Sequence, residues 1–238
     1  MKIAIIGYGK MGKEIEQIAL QRGHEVPLKI TSSNLDEMTL ENLQNCDVAI
    51  EFTRPDKAIG NIKNCFEAQL PVVVGTTGWF DQLNEVKQLC VTTDNTLLYA
   101  SNCSLGVNIF FELNKKLAQL MKKQEDYEVT IEETHHTEKL DAPSGTAITL
   151  AEGLIENYPL KKEWKDEMTE DDSVLPVISH RIENVPGTHV IKYGSEIDEI
   201  EIKHTAHNRK GFASGAVIAA EYIASKKGVF TMSDVLFN

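Results

Sequence analysis

The first hundred residues alternate short apolar runs with amphipathic segments of helical period. The runs predict five strands, at Lys2–Ile6, Glu25–Ile30, Asp47–Phe52, Pro71–Val74 and Thr96–Ala100. The segments between them predict three helices, at Met11–Arg22, Pro55–Ala68 and Phe80–Cys90. Strand–helix alternation of this kind is typical of an α/β protein with a doubly wound parallel sheet.

The pattern changes after this region. Strand-like runs now follow one another without helices between most of them, at Tyr127–Glu133, Val177–Asn184, His189–Tyr193 and Glu196–His204. Helices are predicted at Val107–Met121, Ser144–Asn157, Gly215–Lys226 and Met232–Leu236, and a solvated loop at Glu163–Asp172. We expect a dinucleotide-binding domain at residues 1–102, to which residues 212–238 return. A C-terminal α+β domain with an open mixed, mostly antiparallel sheet is expected at residues 103–211.

The net charge and hydropathy of the chain argue against nucleic acids and membranes as binding partners. The 238 residues include 24 Lys and Arg against 36 Asp and Glu, for a net charge of −12. Such a chain gains nothing from nucleic-acid phosphates or anionic lipids, so neither is expected as a partner. No apolar run reaches the ~18 residues of a membrane span. The N-terminal run is broken by glycines and lacks a cleavage site, so we interpret it as a buried strand of a cytoplasmic protein.

A glycine-rich turn follows the first predicted strand. Gly7-Tyr8-Gly9-Lys10-Met11-Gly12 has the pattern G-x-G-x-x-G and opens a predicted helix, which is the context that this motif requires. Gly7 permits the tight turn, Gly9 lets the backbone approach a pyrophosphate, and Gly12 lets the helix pack on the strand. The motif indicates a Rossmann-type domain that binds NADPH, NADH or both.

The second strand ends without the usual carboxylate for the adenosine ribose. The chain reads Lys29-Ile30-Thr31-Ser32-Ser33, and the next acidic residue is Asp36. Hydroxyls and one lysine suit a 2′-phosphate at least as well as a bare ribose, which favours NADPH. The alternative is that Lys29 is an ordinary solvated strand residue.

The segment from residue 132 to residue 147 contains the highest concentration of candidate catalytic and substrate-binding side chains in the chain. His135, His136 and Lys139 supply proton donors and positive charge, and they precede Ser144-Gly145-Thr146 at a predicted helix start. Pro143 holds its neighbour extended, so we predict a loop that ends at a Ser144 N-cap. The N–H groups of the helix start would face a carboxylate of a small dicarboxylate substrate.

Two other interpretations of this segment stay open at this point. Histidines and nearby carboxylates are metal-ligand types, but adjacent histidines point in different directions and no zinc-like spacing follows, so we predict no metal. A purely structural loop is the second alternative.

Several motifs resemble one family, the 4-hydroxy-tetrahydrodipicolinate reductases. They are GYGKMG, GTTG, ASNCSLGVN and THHTEKLDAPSGTA. The family signature is close to E-x-H-H-x-x-K-x-D-A-P-S-G-T-A, which this chain matches from Glu133 through Ala147. The resemblance extends from residue 2 to the final SDVLFN.

The resemblance implies roles for individual residues. It implies that His135 is a general acid–base residue and Lys139 a proton donor, and that the substrate is bound by His136, Lys139, Gly145 and Thr146. It also implies that the nicotinamide half of the cofactor is bordered by Gly75, Thr76, Thr77, Ala100, Ser101, Asn102 and Cys103. Arg209 is a further candidate for a substrate contact, or a solvent-facing arginine.

The family also implies a reaction and an assembly. The reaction removes water from a cyclic dicarboxylate and adds a hydride from NAD(P)H, and the usual assembly is a homotetramer. Cys103 stands where many members have Phe, and the glycine turn is one residue shorter than in some. The competing hypotheses are another two-domain amino-acid dehydrogenase and a non-catalytic NAD(P)H-binding regulator, neither of which explains the signature.

Overall fold

The computed structural model describes residues 1–238 and divides into two compact units. The first comprises Met1–Leu105 with Arg209–Asn238, and the second comprises Gly106–Asn208. Each junction lies three residues from the predicted boundary, at 105 instead of 102 and at 208 instead of 211. The reason is that Cys103 belongs to the core of the first unit, and Arg209 caps a helix of that unit.

The first unit begins as five strands that alternate with helices. The strands are β1 (Lys2–Ile6), β2 (Glu25–Ile30), β3 (Val48–Glu51), β4 (Val72–Val74) and β5 (Thr96–Tyr99). The helices are α1 (Lys10–Gln21), α2 (Leu40–Gln44), α3 (Pro55–Glu67) and α4 (Leu83–Thr92), with 3₁₀ turns at Leu35–Glu37 and Phe80–Gln82. The sequence-based prediction missed α2.

The second unit contains two helices and five strands. In chain order they are α5 (Leu105–Met121), β6 (Glu128–His135), α6 (Gly145–Ile155), β7 (Glu163–Lys165), β8 (Val174–Arg181), β9 (Gly187–Gly194) and β10 (Glu199–Ala206). The chain then adds α7 (Lys210–Ile223), β11 (Gly228–Phe230) and α8 (Met232–Phe237) to the first unit. No helix is long and apolar enough to cross a membrane.

The first sheet is parallel throughout, in the order β11-β5-β4-β3-β1-β2. Successive side chains of a strand point to opposite faces, so Ile3 and Ile5 pack against α1, α7 and α8 while Ala4 and Ile6 face α2, α3 and α4. Burial on both faces explains why β1 is a continuous apolar run. The predicted fold class is confirmed.

The second sheet is mixed and has helices on one face, in the order β10-β9-β6-β8-β7. The pairs β10·β9 and β9·β6 are antiparallel, whereas β6·β8 and β8·β7 are parallel. The expectation of a mostly antiparallel sheet is therefore wrong. One cause is β7, a strand at Glu163–Lys165 within the stretch that was predicted to be a loop, where Trp164 packs on the core.

The strand β6 is longer than predicted and alternates in burial along its whole length. Val129, Ile131, Glu133 and His135 are buried, and the residues between them are more exposed. The prediction that His135 lies in a loop is wrong, because β6 ends at His135 and only residues 136–144 form the connection to α6.

Candidate active site

The glycine turn between β1 and α1 is held by close contacts. Gly7 has φ +101°, and an ideal Cβ there would lie 2.0 Å from the carbonyl oxygen of Phe52. A Cβ on Gly12 would lie 2.6 Å from the Gly7 oxygen, so only glycine allows α1 to approach β1 this closely. A Cβ on Gly9 would meet nothing within 4 Å, so the space above this residue is open.

Parallel strands bring the candidate cofactor residues to one edge of the first sheet. A cavity of about 400 Å³ lies there. Its lining comes from the turn after β1, the loops after β3 and β4 and the start of α3, namely Gly7, Gly9, Lys10, Met11, Phe52, Thr53, Pro55, Gly75, Thr76 and Thr77. The carboxyl edge of such a sheet is where α/β proteins place their ligands.

The start of α1 fits an anionic cofactor group. Gly9 provides no side-chain cap, and the first turn contains no acidic residue. The first N–H groups of a helix have no partner within the helix, and with the helix dipole they form an anion site. The open space above Gly9 and this uncapped helix start fit the pyrophosphate of a dinucleotide.

The end of β2 carries a polar network instead of a ribose carboxylate. Lys29 Nζ lies 2.9 Å from Glu16 Oε1, and the Tyr8 hydroxyl donates a short hydrogen bond to the same carboxylate. The hydrogen bond that Lys29 donates to Glu16 raises the pKa of Lys29. After the strand, the Thr31 N–H donates to Asn34 Oδ1 at 2.7 Å and forms a tight polar turn. Lys29 is thus ion-paired and 41% exposed, rather than simply solvated.

The predicted cofactor residues after β5 differ in their surroundings. The N–H of Ala100 donates to the Val74 oxygen at 3.1 Å, which continues the sheet to the edge that bears the cavity. Asn102 Oδ1 accepts the Ser104 N–H at 2.8 Å. Cys103 is 2% exposed within the hydrophobic core, and burial raises the pKa of its thiol to about 12. The side chain therefore serves packing, and Ser101 stays half-buried.

Strand register brings a polar cluster together in the second unit. Glu133 of β6 is paired with His189 of β9 on one side and Ser179 of β8 on the other, while His135 is paired with Arg181. Directly paired residues point to the same face of a sheet. All five side chains consequently gather at the end of β6, on the face that packs against the helices.

The Glu133 carboxylate is the centre of this cluster and is 0% exposed. Its Oε1 accepts the Ser144 N–H at 3.0 Å and the Ser179 hydroxyl at 2.9 Å, and the Arg181 guanidinium lies 3.3 Å away. Its Oε2 lies 3.3 Å from His135 Nδ1 and 3.6 Å from His189 Nε2. One side chain thus joins β6, β8, β9 and the start of α6.

Burial and hydrogen bonding compete in setting the ionisation of the cluster. Burial by itself would raise the pKa of Glu133, but the His135 and His189 rings facing Oε2 and the hydrogen bonds from Ser144 and Ser179 hold this pKa well below the usual range. For His189 burial is the stronger influence and lowers its pKa, with Glu133 opposing it. The cluster therefore contains an ionised carboxylate beside a neutral His189.

The two ring nitrogens of His135 face different surroundings. Nδ1 faces Glu133, whereas Nε2 faces Gly187 at the start of β9. An ideal Cβ on Gly187 would lie only 3.0 Å from Nε2. Glycine at this position therefore keeps the outer edge of the imidazole unobstructed.

The loop after β6 carries the predicted lysine. Lys139 Nζ pairs with Asp141 Oδ2 at 2.8 Å, and its N–H donates to the His136 oxygen at 3.1 Å. Arg181 donates to the backbone oxygen of Asp141 at 2.6 Å, which connects this loop to Glu133. His136 is half-buried, and its Nδ1 is buried without a hydrogen-bond partner.

The start of α6 follows as predicted. The Ser144 hydroxyl accepts the Ala147 N–H at 3.2 Å, so the predicted N-cap is confirmed. Gly145 is exposed and Thr146 half-buried at the beginning of the helix, with no acidic residue in the first turn. These features fit a carboxylate ligand at the helix start.

A metal ion was one alternative for these histidines. Glu133, His135 and His189 do bring three ligand-type atoms within 4.8 Å of one another. However, Arg181 lies 3.3 Å from the same carboxylate and already supplies a positive charge. We interpret the three residues as a polar cluster around Glu133, and the absence of a metal stays a prediction.

Three members of the cluster did not stand out in the sequence. Ser179, Arg181 and His189 were included only as parts of predicted strands. A signal existed for Glu133, because the alternation Val129-Ile131-Glu133 places a charge where an apolar residue is expected. The pairing of its partners depends on register, which no local pattern determined.

Comparison with known proteins decides the family. Residues 1–103 match the family described as dihydrodipicolinate reductase, N-terminus, and residues 106–236 match its C-terminus. The chain belongs to the dihydrodipicolinate reductase family. The resemblance found in the signature is thereby confirmed over almost the whole length.

Individual relatives agree with this dihydrodipicolinate reductase assignment. The 4-hydroxy-tetrahydrodipicolinate reductase of Christiangramia forsetii is 51% identical over 237 residues, which cover 99% of this chain and 98% of that protein. The dipicolinate-bound dihydrodipicolinate reductase of Paenisporosarcina sp. TG-14 is 25% identical, with a TM-score of 0.75 and 97% of each chain covered. The DAP dehydrogenase of C. glutamicum is 15% identical, with a TM-score of 0.54 over 100% of this chain and 93% of its own, and shares the fold alone.

Proposed function

We propose that this chain reduces 4-hydroxy-tetrahydrodipicolinate to tetrahydrodipicolinate with loss of water, in diaminopimelate and lysine biosynthesis. Its place among the 4-hydroxy-tetrahydrodipicolinate reductases carries this conclusion. The chain is an NAD(P)H-dependent oxidoreductase. NAD(P)H supplies the hydride, and the protein binds and orients it.

The first unit is proposed to hold the cofactor at the carboxyl edge of its sheet. The helix start behind Gly9 binds the pyrophosphate, and the loops at Thr53 and Gly75–Thr77 border the nicotinamide half. The cavity and the uncapped start of α1 support this role. We extend the proposal to Ala100–Cys103 through the resemblance, with Cys103 contributing backbone only because its side chain is buried.

His135 is proposed to be the proton donor. The reaction requires a proton for the departing hydroxyl, and a positioned histidine can supply it; such help is worth on the order of 10²–10⁴-fold in rate. The orientation of the ring supports this role, because Nδ1 faces Glu133 Oε2 at 3.3 Å while Nε2 faces Gly187, which has no side chain.

The neighbouring groups are proposed to bind the dicarboxylate. Lys139 and His136 provide positive charge and hydrogen bonds, and the N–H groups of Gly145 and Thr146 face one carboxylate at the start of α6. Lys139 also serves as a second proton source. Its partner Asp141 is 59% exposed, so a substrate carboxylate can compete with Asp141 for the ammonium group.

We further propose that NADPH is preferred over NADH. No carboxylate follows β2 to accept the ribose hydroxyls, and Thr31, Ser32 and Ser33 offer hydroxyls to a 2′-phosphate. Lys29 adds positive charge, although Glu16 partly balances it. Replacement of Lys29 by glutamine is expected to lower the ratio of NADPH to NADH activity.

Assembly and location are also proposals. We propose a cytoplasmic homotetramer formed through the second unit, as in the family. The half-exposed strand β10 leaves apolar Ile200 39% exposed, which is compatible with an interface. All four cysteines are unpaired, as expected in a reducing compartment. Light scattering during gel filtration tests the tetramer.

One coupled assay tests the function and the cofactor together. The purified protein is mixed with a dihydrodipicolinate synthase, pyruvate and aspartate semialdehyde, and absorbance of NADPH, or separately NADH, is followed. We expect oxidation that depends on the synthase and is faster with NADPH. Intact cofactor binding without any oxidation would refute the proposal, and equal rates would refute only the cofactor preference.

Variants of the signature then test the roles. His135→Ala and Lys139→Ala are each expected to lower kcat strongly while the cofactor dissociation constant stays unchanged, since both lie in the second unit. Lys122→Ala, at an exposed lysine just beyond α5, is the control and should keep full activity. Near-normal turnover in His135→Ala would show that the proton donor has been assigned to the wrong residue.

A further inference from the structure

We propose that Glu133 is the positioning residue of the active site: it fixes which nitrogen of His135 carries the proton and, through the Ser144 N–H, ties the strand that bears this ring to the start of α6. The inference rests on the proposed role of His135 as proton donor. Glu133 itself touches neither substrate nor cofactor in this scheme.

The two oxygens of Glu133 have separate tasks. Oε1 is surrounded by donors, namely the Ser144 N–H at 3.0 Å, the Ser179 hydroxyl at 2.9 Å and the Arg181 guanidinium at 3.3 Å. These contacts fix the carboxylate to α6 and β8. Oε2 is left to face His135 Nδ1 at 3.3 Å and His189 Nε2 at 3.6 Å.

Neither Glu133 Oε2 nor His135 Nδ1, both buried, has a hydrogen-bond partner elsewhere. An ionised carboxylate can only accept hydrogen bonds, so a hydrogen bond between these two facing atoms requires His135 Nδ1 to be the donor. In the neutral ring the single proton then resides on Nδ1, and Nε2 is left as the basic atom. Nε2 is the nitrogen beside Gly187, where a Cβ would lie 3.0 Å away and glycine supplies none. A proton that His135 takes up and delivers therefore moves through Nε2, with Nδ1 held throughout.

The proposed arrangement requires that Glu133 stays ionised. Hydrogen bonds offset the burial of Glu133 and keep its pKa well below the usual range. Arg181 adds a permanent positive charge on the other side of the carboxylate. Arg181 also donates to the Asp141 oxygen at 2.6 Å, so the same group steadies the loop that bears Lys139.

The tautomer can be measured directly in the unmodified enzyme. Histidine labelled with ¹⁵N gives two-bond ¹H–¹⁵N spectra that distinguish a proton on Nδ1 from one on Nε2. Spectra are recorded near pH 8.5, about two units above the reference value for histidine, and the signal of residue 135 is assigned by its loss in His135→Asn. We expect the proton on Nδ1, and a proton on Nε2 would overturn the proposal.

The variant Glu133→Gln tests whether Glu133 is what places the His135 proton on Nδ1. The three donors around Oε1 require the amide oxygen there, so the NH₂ group must occupy the place of Oε2 and donate to His135 Nδ1. We expect the proton to move to Nε2 and kcat to fall by about 10²–10⁴-fold. The KM and dissociation constant of NADPH should stay near the wild-type values, because the cofactor site lies in the first unit.

Glu132→Gln is the matched control, since it makes the same chemical change one residue away. Glu132 lies on the opposite face of β6, is 51% exposed and faces His180 at 3.5 Å. It should keep the wild-type kcat and tautomer. Equal activities of the two variants, or a fall in kcat with an unchanged tautomer, would refute the positioning role.

Failure of this inference and failure of the proposed function give different results. If the wild-type enzyme does not oxidise NADPH in the coupled assay, the function is wrong, whatever the tautomer. If it does and His135 carries its proton on Nε2, only the role of Glu133 is wrong. Should Glu133→Gln not fold, the spectrum of the unmodified enzyme still decides.

Discussion

Each of the two units buries a glutamate completely, and the two behave in opposite ways. Glu51 ends β3 below the cofactor cavity, and Glu133 lies near the end of β6; both are 0% exposed. Burial raises the pKa of Glu51, with hydrogen bonds from Thr53, Thr76 and Asn61 opposing it only in part. For Glu133 the hydrogen bonds outweigh burial and lower the pKa.

The partners account for this difference. Glu51 Oε1 is contacted by the Asn61 amide at 3.1 Å and by the Thr53 hydroxyl, and Oε2 has no hydrogen-bond partner. All these partners are uncharged. Glu133 has a guanidinium and two imidazoles around it. Equal burial therefore goes with a raised pKa for one carboxyl and a lowered pKa for the other, according to whether a cation faces the carboxyl.

The largest expected effect comes from replacing the two carboxyls by amides. Glu133→Gln should lower the free energy of unfolding by about 3 kcal/mol, the low end of the range for breaking a buried ion pair, because Arg181 keeps 22% exposure. Glu51→Gln should change the free energy of unfolding by less than about 1 kcal/mol, since no cation faces Glu51 and an amide oxygen can still accept the Asn61 and Thr53 hydrogen bonds. Urea unfolding at neutral pH measures both. Equal losses would mean that the two carboxyls share one ionisation state.

The next prediction concerns Gly187, which lies beside Nε2 of His135. It applies only to the second unit and has no equivalent at Glu51. Gly187→Ala places a methyl group about 3.0 Å from Nε2, and we expect kcat to fall on the order of 10- to 100-fold through displacement of the ring. Gly194→Ala, at the other end of β9, is the control, because its nearest contact is 3.8 Å away. Unchanged kcat in Gly187→Ala would show that protons do not pass through Nε2.

The pH dependence of stability should have opposite signs for the two carboxyls. Glu133 has a lowered folded pKa, so its contribution is complete above the unfolded value of about 4.3 and is lost as pH falls through the folded pKa. Glu51 has a raised folded pKa, so folded protein binds more protons and stability falls as pH rises from about 4.3 to that pKa. The charged or titratable groups that face Glu133 are Arg181, His135 and His189. The titratable group near Glu51 is the Cys65 thiol.

Denaturant unfolding from pH 3 to 8 tests these signs against the amide variants. The loss of unfolding free energy caused by Glu133→Gln should become smaller below about pH 4.3. Above that pH, the stability of Glu51→Gln should rise relative to that of the wild type. Each unit of pKa difference corresponds to about 1.4 kcal/mol. Parallel pH curves for wild type and both variants would contradict the assignment of opposite shifts.

The smallest expected effect comes from removing one uncharged hydrogen-bond partner of Glu51. Asn61→Leu removes the 3.1 Å hydrogen bond to Glu51 and should cost about 1 kcal/mol. Loss of this donor also raises the pKa of Glu51 further. In Asn61→Leu, the fall in stability with rising pH that Glu51 causes should therefore continue to a higher pH than in the wild type. Asn64→Leu on the same helix is the control. If both variants lose equally, the effect comes from α3 and not from the carboxyl.

Much of the fold follows from local pattern. Lys2–Ile6 and Glu25–Ile30 are strands with the predicted ends. Lys2–Ile6 is a nearly continuous apolar run because both faces of the sheet are buried there, whereas Glu25–Ile30 is an edge strand with polar residues among its apolar ones. The short elements α2, β7 and β11 escaped prediction. Their three to five residues carry too little periodicity, and they form only where a neighbouring strand or helix receives them.

By itself the sequence determined the strand–turn–helix that carries the glycine motif and the signature with His135, Lys139 and the Ser144 cap, because each depends on residues close together in the chain. Only the tertiary structure decided that Ser179, Arg181 and His189 surround Glu133. Register between β6, β8 and β9 brings together residues up to 56 positions apart (133 to 189). The charge of a buried carboxyl depends on such distant partners, and therefore Glu51 and Glu133 differ in a way that their local sequences do not reveal.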